Sequence, residues 1–63
     1  MEEEVEKYRA DCLALCNRLL YEMERNRDDA DLFCSGEIHK AYVTVNDKVA
    51  EQVRNIKAKI RQL

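Results

Sequence analysis

One stripe of apolar residues runs along nearly the whole chain at intervals of three or four residues. This is the spacing of one helix face, whereas a strand would alternate apolar and polar residues. Charged and small residues fill the intervals, as on a solvent-facing helix flank. We call this stripe the predicted seam. It comprises Val5, Tyr8, Cys12, Leu15, Leu19, Met23, Asn26, Ala30, Phe33, Ile38, Tyr42, Val45, Val49, Val53, Ile56, Ile60 and Leu63.

The stretch 27–40 is the weakest part of this helical pattern because it is rich in Asp, Ser and Gly, which are modest or poor helix formers. Ser35-Gly36 is a turn-type dipeptide, and Gly36 suits the left-handed cap that ends many helices. The sequence therefore predicts an all-α antiparallel helical hairpin, with a helix over about 2–33, a turn over about 34–36 and a helix over about 37–63.

Folding the predicted seam at Gly36 brings apolar residues opposite one another along its whole length. Phe33 meets Ile38 near the turn, and Leu15 meets Ile56 further along. The seam also contains two irregular pairs of four-residue steps, centred on Leu19 and Val49, and these fall opposite each other. Such coincident irregularities favour one antiparallel register over those seven residues away.

Charge is distributed unevenly along the chain. Residues 1–31 carry ten acids and five bases, a net charge of −5, whereas residues 32–63 carry three acids and six bases, a net charge of +3. Antiparallel pairing places these unlike halves side by side. One continuous long helix in an antiparallel coiled-coil dimer makes the same contacts and is the alternative fold. Asn26, a polar residue on the seam, is interpreted as a device that fixes register, or simply as a weak layer.

A second apolar row widens both helices beyond what one seam needs. A chain of 63 residues also has difficulty burying enough surface to fold alone. We therefore expect the hairpin to assemble into a helical bundle, with itself as a dimer or four-helix bundle, or with another helical protein. This predicted secondary interface comprises Leu13, Cys16, Leu20 and Val43.

The residues that carry chemistry do not form a recognisable site. Cys12 and Cys16 share a helix face, but Cys34 and His39 flank the turn about 30 Å away along the helix. This spacing matches no compact zinc motif, so we expect reduced structural cysteines, no metal and no cofactor. His39 is expected near the surface, without a pocket or nucleophile beside it, so no catalytic residue is assigned.

Two further classes of partner are disfavoured. The bases of the second helix lack interleaved aromatic residues, and the chain has a net charge of −2, so nucleic acid is not expected. The longest apolar run, 12–16, is too short for a membrane span. The odd number of cysteines indicates a reducing, intracellular compartment, cytoplasmic rather than nuclear.

These features predict a non-enzymatic coiled-coil oligomerisation or scaffold module that mediates protein–protein assembly through its apolar seam. One alternative is a subunit segment that folds only with a different helical partner. A lesser alternative is a helical ligand for a folded receptor, which would show a short cluster of anchors rather than a long stripe. The chain is expected to be a fragment of a larger protein.

Overall fold

The computed structural model describes the backbone of residues 2–63 and the side chains of residues 3–63. Two helices, α1 (Glu2–Phe33) and α2 (Gly36–Arg61), pack against each other. Their Cα atoms extend over 52 × 16 × 9 Å, whereas one uninterrupted helix of this chain would be about 90 Å long. The predicted antiparallel hairpin is therefore confirmed, and the alternative of one continuous helix is wrong.

The turn consists of Cys34 and Ser35. Ser35 is extended, with φ −147° and ψ 163°, and Gly36 has φ +61°, in the left-handed region where a side chain is strained. The amide of Cys34 donates a hydrogen bond to the carbonyl of Ala30 at 2.9 Å, so helical hydrogen bonding continues up to the turn. Gly36 thus has the left-handed conformation expected of it, but it begins α2 instead of capping α1.

The helices meet along one row of residues on each, and we call these two rows the contact rows. Their members are buried or half-buried and follow a seven-residue repeat, which keeps a row facing a neighbouring helix. The most buried residues, at most 9% exposed, are all of small or medium size: Cys16, Ala30, Ala50 and Val53. The contact rows are Arg9, Leu13, Cys16, Leu20, Met23, Ala30 and Cys34 on α1, and His39, Val43, Asn46, Ala50, Val53, Lys57 and Ile60 on α2.

Most of the predicted seam lies outside the contact rows. Only Met23, Ala30, Val53 and Ile60 belong to both sets. The prediction that the seam joins the two helices of one hairpin is therefore wrong for its other members, which are all exposed. These are Val5, Tyr8, Cys12, Leu15, Leu19, Asn26, Phe33, Ile38, Tyr42, Val45, Val49, Ile56 and Leu63.

The reason lies in the two irregular steps. The predicted seam follows the exposed row of each helix up to Leu19 on α1 and Val49 on α2. Beyond those residues it alternates between that row and the contact row, to which Met23 and Val53 belong. The contact rows need no such step. An unbroken seven-residue repeat stays against the neighbouring helix, whereas a row with consecutive four-residue steps drifts around the helix axis.

The predicted secondary interface is corrected in the same way. Leu13, Cys16, Leu20 and Val43 all lie in the contact rows, so they hold the hairpin together instead of facing outward. The sequence therefore indicated two rows of apolar residues, but it assigned part of the inner row to the outside of the hairpin and most of the outer row to the inside. The most buried positions between the helices hold small or medium-sized side chains, whereas large ones such as Leu15 and Phe33 face outward.

Candidate protein-docking face

The exposed members of the predicted seam form a second row on each helix. Apart from Val5, Asn26 and Leu63, each one immediately precedes a contact-row residue: Leu15 precedes Cys16, and Val49 precedes Ala50. One residue corresponds to about 100° around a helix, so this second row lies beside the contact row. We call the two outward rows together the apolar face. It comprises Val5, Tyr8, Cys12, Leu15, Leu19 and Phe33 from α1, and Ile38, Tyr42, Val45, Val49 and Ile56 from α2.

Both outward rows lie on the same side of the hairpin. In an antiparallel pair, equivalent flanks of the two helices adjoin each other, so positions one residue before each contact row share a side. Phe33 of α1 and Tyr42 of α2 line one shallow groove on this side. Met23 lines a larger groove of about 600 Å³ with α2 residues that include Ile38 and Val45.

The side chains of the apolar face are exposed to solvent in the isolated hairpin. Leu15 is 57% exposed, Ile38 is 73% exposed and Phe33 is 84% exposed. Burying one such side chain fully contributes about 1.5–3 kcal/mol. Isolated exposed apolar residues are ordinary on protein surfaces, whereas large contiguous apolar patches are typical of interaction sites.

The opposite side of the hairpin is polar and already paired across the helices. Nη1 of Arg27 lies 3.4 Å from Oδ1 of Asp47. Near the turn, Nε2 of His39 donates to Oδ1 of Asp31 at 2.6 Å. These two contacts join α1 to α2 and leave that side with charged groups in solvent. The hairpin therefore has one face suited to water and one suited to another apolar surface.

Two asparagines occupy different places in this arrangement. Asn26, which the sequence singled out, is exposed and lines the groove that contains Phe33 and Tyr42. Asn46, which was not singled out, lies in the contact row of α2, and its Nδ2 donates to the carbonyl of Met23 at 3.2 Å. The sequence alone could have identified Asn46, because it is seven residues from both His39 and Val53 in the repeat of α2.

The candidate chemical residues are dispersed. Cys12 is exposed, Cys16 is buried between the helices and Cys34 is half-buried at the turn, all three as free thiols. Among the described residues, no group of three His, Cys, Asp or Glu side chains is placed to hold a metal ion. His39 is paired with Asp31 across the turn, where it fastens the ends of the helices.

Over the part of the chain that the structure describes, neither helix combines the length and the apolar content that crossing a bilayer needs. Comparison with protein-family models, with curated proteins and with solved structures gave no match to this chain.

Proposed function

We propose that this chain is a non-enzymatic helical association module that mediates protein–protein assembly through the apolar face. The observation that carries the proposal is the face itself. Both helices contribute large side chains to it, and the hairpin leaves them uncovered. A stripe that extends from Val5 to Phe33 on α1 suits an extended helical partner better than a single pocket does.

The small internal core of the hairpin supports this proposal. Among residues 3–63, its buried apolar residues are Cys16, Ala30, Ala50 and Val53. Such small side chains contribute little apolar area, whereas the conformational entropy lost on folding grows with every ordered residue. Covering the apolar face supplies the apolar burial that the hairpin lacks. Association and folding are therefore expected to be coupled.

The test compares two double variants of the isolated chain. Leu15→Glu with Val45→Glu places a carboxylate on each half of the apolar face. The matched control, Tyr21→Glu with Thr44→Glu, places the same charges at exposed positions outside that face. Solution mass and helicity are recorded for both variants and the wild type across protein concentration.

We expect the wild type to be helical at a fixed multiple of 7.4 kDa and the control to follow it. The face variant should associate about a hundredfold more weakly or worse, because each unpaired buried carboxylate costs several kcal/mol. A weakly helical wild-type monomer would support the alternative that the face needs a different helical protein. A fully helical monomer at every concentration, unchanged by the face variant, would contradict the proposal.

A further inference from the structure

We infer that the occupant of the apolar face is a second copy of this chain, packed face to face with both turns at the same end, so that α1 of each copy contacts α2 of the other. This inference rests on the proposed association function. It adds the identity of the partner and the geometry of the complex, a four-helix bundle in which all neighbouring helices are antiparallel.

Symmetry leaves two ways to stack the faces of two identical hairpins. A two-fold axis parallel to the helices puts the turns together and places α1 over α2 of the second copy. A two-fold axis across the helices puts the turns at opposite ends and places α1 over α1 and α2 over α2. Both arrangements cover the apolar face, so apolar burial alone does not choose between them.

Charge distinguishes the two arrangements. Helix α1 carries ten acids and five bases, a net charge of −5, and α2 carries three acids and six bases, a net charge of +3. The axis along the helices places these unlike helices together across the interface, whereas the other axis places like helices together. Single exposed pairs contribute little, but their sum decides orientation when apolar burial is equal.

The heights of residues within the hairpin identify the pairs. Met23 lies level with Asn46, and Asp31 lies level with His39. Because the inferred axis runs along the helices, the same heights hold between the two copies. Asp11 then comes level with Lys59 of the second copy, and Glu22 with Lys48. Both lysines are exposed, and neither forms an ion pair among residues 3–63.

The apolar side chains match in the same register. Phe33 comes level with Ile38 of the second copy, and Leu15 comes level with Ile56. These are the pairs that folding the predicted seam at Gly36 produces, and the hairpin itself leaves all four residues exposed. In the inferred dimer, these pairs form between the two chains.

The exposed area agrees with a dimer of this size. The hairpin exposes 5490 Å², whereas a folded monomeric protein of 7.4 kDa exposes about 4,200 Å². The excess is about 1,300 Å² per copy, or about 2,600 Å² for a pair, within the range of obligate homodimers.

The distance between the two turns tests the inference. Ser35→Cys carries a spin label in the full chain with Cys12, Cys16 and Cys34 replaced by Ala, after its mass and helicity have been compared with the wild type. The inferred dimer predicts a distance of about 15–30 Å, which is one to two helix spacings plus the labels. The other axis predicts a distance near the 52 Å length of the hairpin.

A short distance in a species of twice the chain mass supports the inference. A distance near the hairpin length overturns it, and so does a monomer. The proposed association function is judged separately, by its face variant and control, so its failure and the failure of this inference are distinguishable.

A second measurement keeps the natural cysteines. Lys59→Glu should weaken the wild-type dimer about two- to fivefold, and adding Asp11→Lys should restore it, because the exchanged charges attract again. A dimer that Asp11→Lys does not restore would overturn the arrangement, since the other axis separates these two positions.

Discussion

The contact rows and the apolar face lie one residue apart on the same two helices, yet the most buried side chains of the contact rows are generally smaller than the exposed side chains of the apolar face. The contact rows bury Cys16, Ala30 and Ala50, whereas the apolar face exposes Leu15, Phe33 and other large residues. Small side chains let the two helices of one chain lie close together. Large side chains, held outward on that narrow hairpin, are suited to a second and wider interface. In the function proposed above, the difference corresponds to two levels of assembly, first within the chain and then beyond it.

Enlarging a buried alanine should have the largest effect on stability and tests whether the contact rows differ from the apolar face. Ala50→Leu should destabilise the hairpin by about 1–3 kcal/mol, because Ala50 is only 7% exposed and three more carbon atoms at a packed position force neighbouring side chains and backbone to shift. Thermal unfolding at a fixed protein concentration measures the effect. Val49→Leu, one residue earlier on the apolar face, is the control and should leave the hairpin folded. Equal losses from both substitutions would mean that the two rows are not distinct.

The turn is the next most sensitive place. Gly36→Ala should cost about 1 kcal/mol, because Gly36 has φ +61° and a side chain is strained in that conformation. Space is not the cause, since an added Cβ would meet nothing within 4 Å. Ser35→Ala is the matched control. The Ser35 side chain forms no capping hydrogen bond, so its loss should leave the midpoint of urea unfolding unchanged. A larger effect at Ser35 would contradict this account of the turn.

Asn46 is a polar residue in the contact row of α2, and replacing it should change the stability of the hairpin in the opposite direction. Asn46→Val should raise the stability of the hairpin by about 0.5–1 kcal/mol, because one weak side-chain hydrogen bond is exchanged for apolar contact. Asn55→Val, at an exposed position of α2, is the control and should change little. A loss of stability with Asn46→Val would show that its bond to the carbonyl of Met23 contributes more than its burial costs.

Substitutions on the polar side of the hairpin should have the smallest effect on its stability. Arg27→Ala and Asp47→Ala, with the double variant, form a cycle expected to give a coupling of about 0.2–1 kcal/mol, because both side chains are about half exposed. High salt should reduce the coupling further. Unfolding followed by circular dichroism at two ionic strengths measures it. A coupling that exceeds the loss from Ala50→Leu would reverse the ranking of the two sides.

The sequence by itself determined the elements of this protein. Three- and four-residue spacing indicated two helices, and Ser35-Gly36 marked the break between them, because only a few residue types favour a turn with left-handed backbone. The opposite charges of the two halves favoured an antiparallel hairpin. These signals are local or follow from the order of residues, so they needed no three-dimensional information.

Only the tertiary structure decided which row of each helix lies inside the hairpin. Leu15 and Cys16 are adjacent in sequence, and both rows have helical spacing, so hydrophobicity favoured the larger side chain for the interior. A contact row has to supply apolar side chains along the helix. The inner row of α1 continues with Met23 and Ala30, whereas the outer row continues with Glu22 and Asn26. That condition placed Cys16 and Ala50 between the helices, and it left Leu15 and Val49 on the outer face.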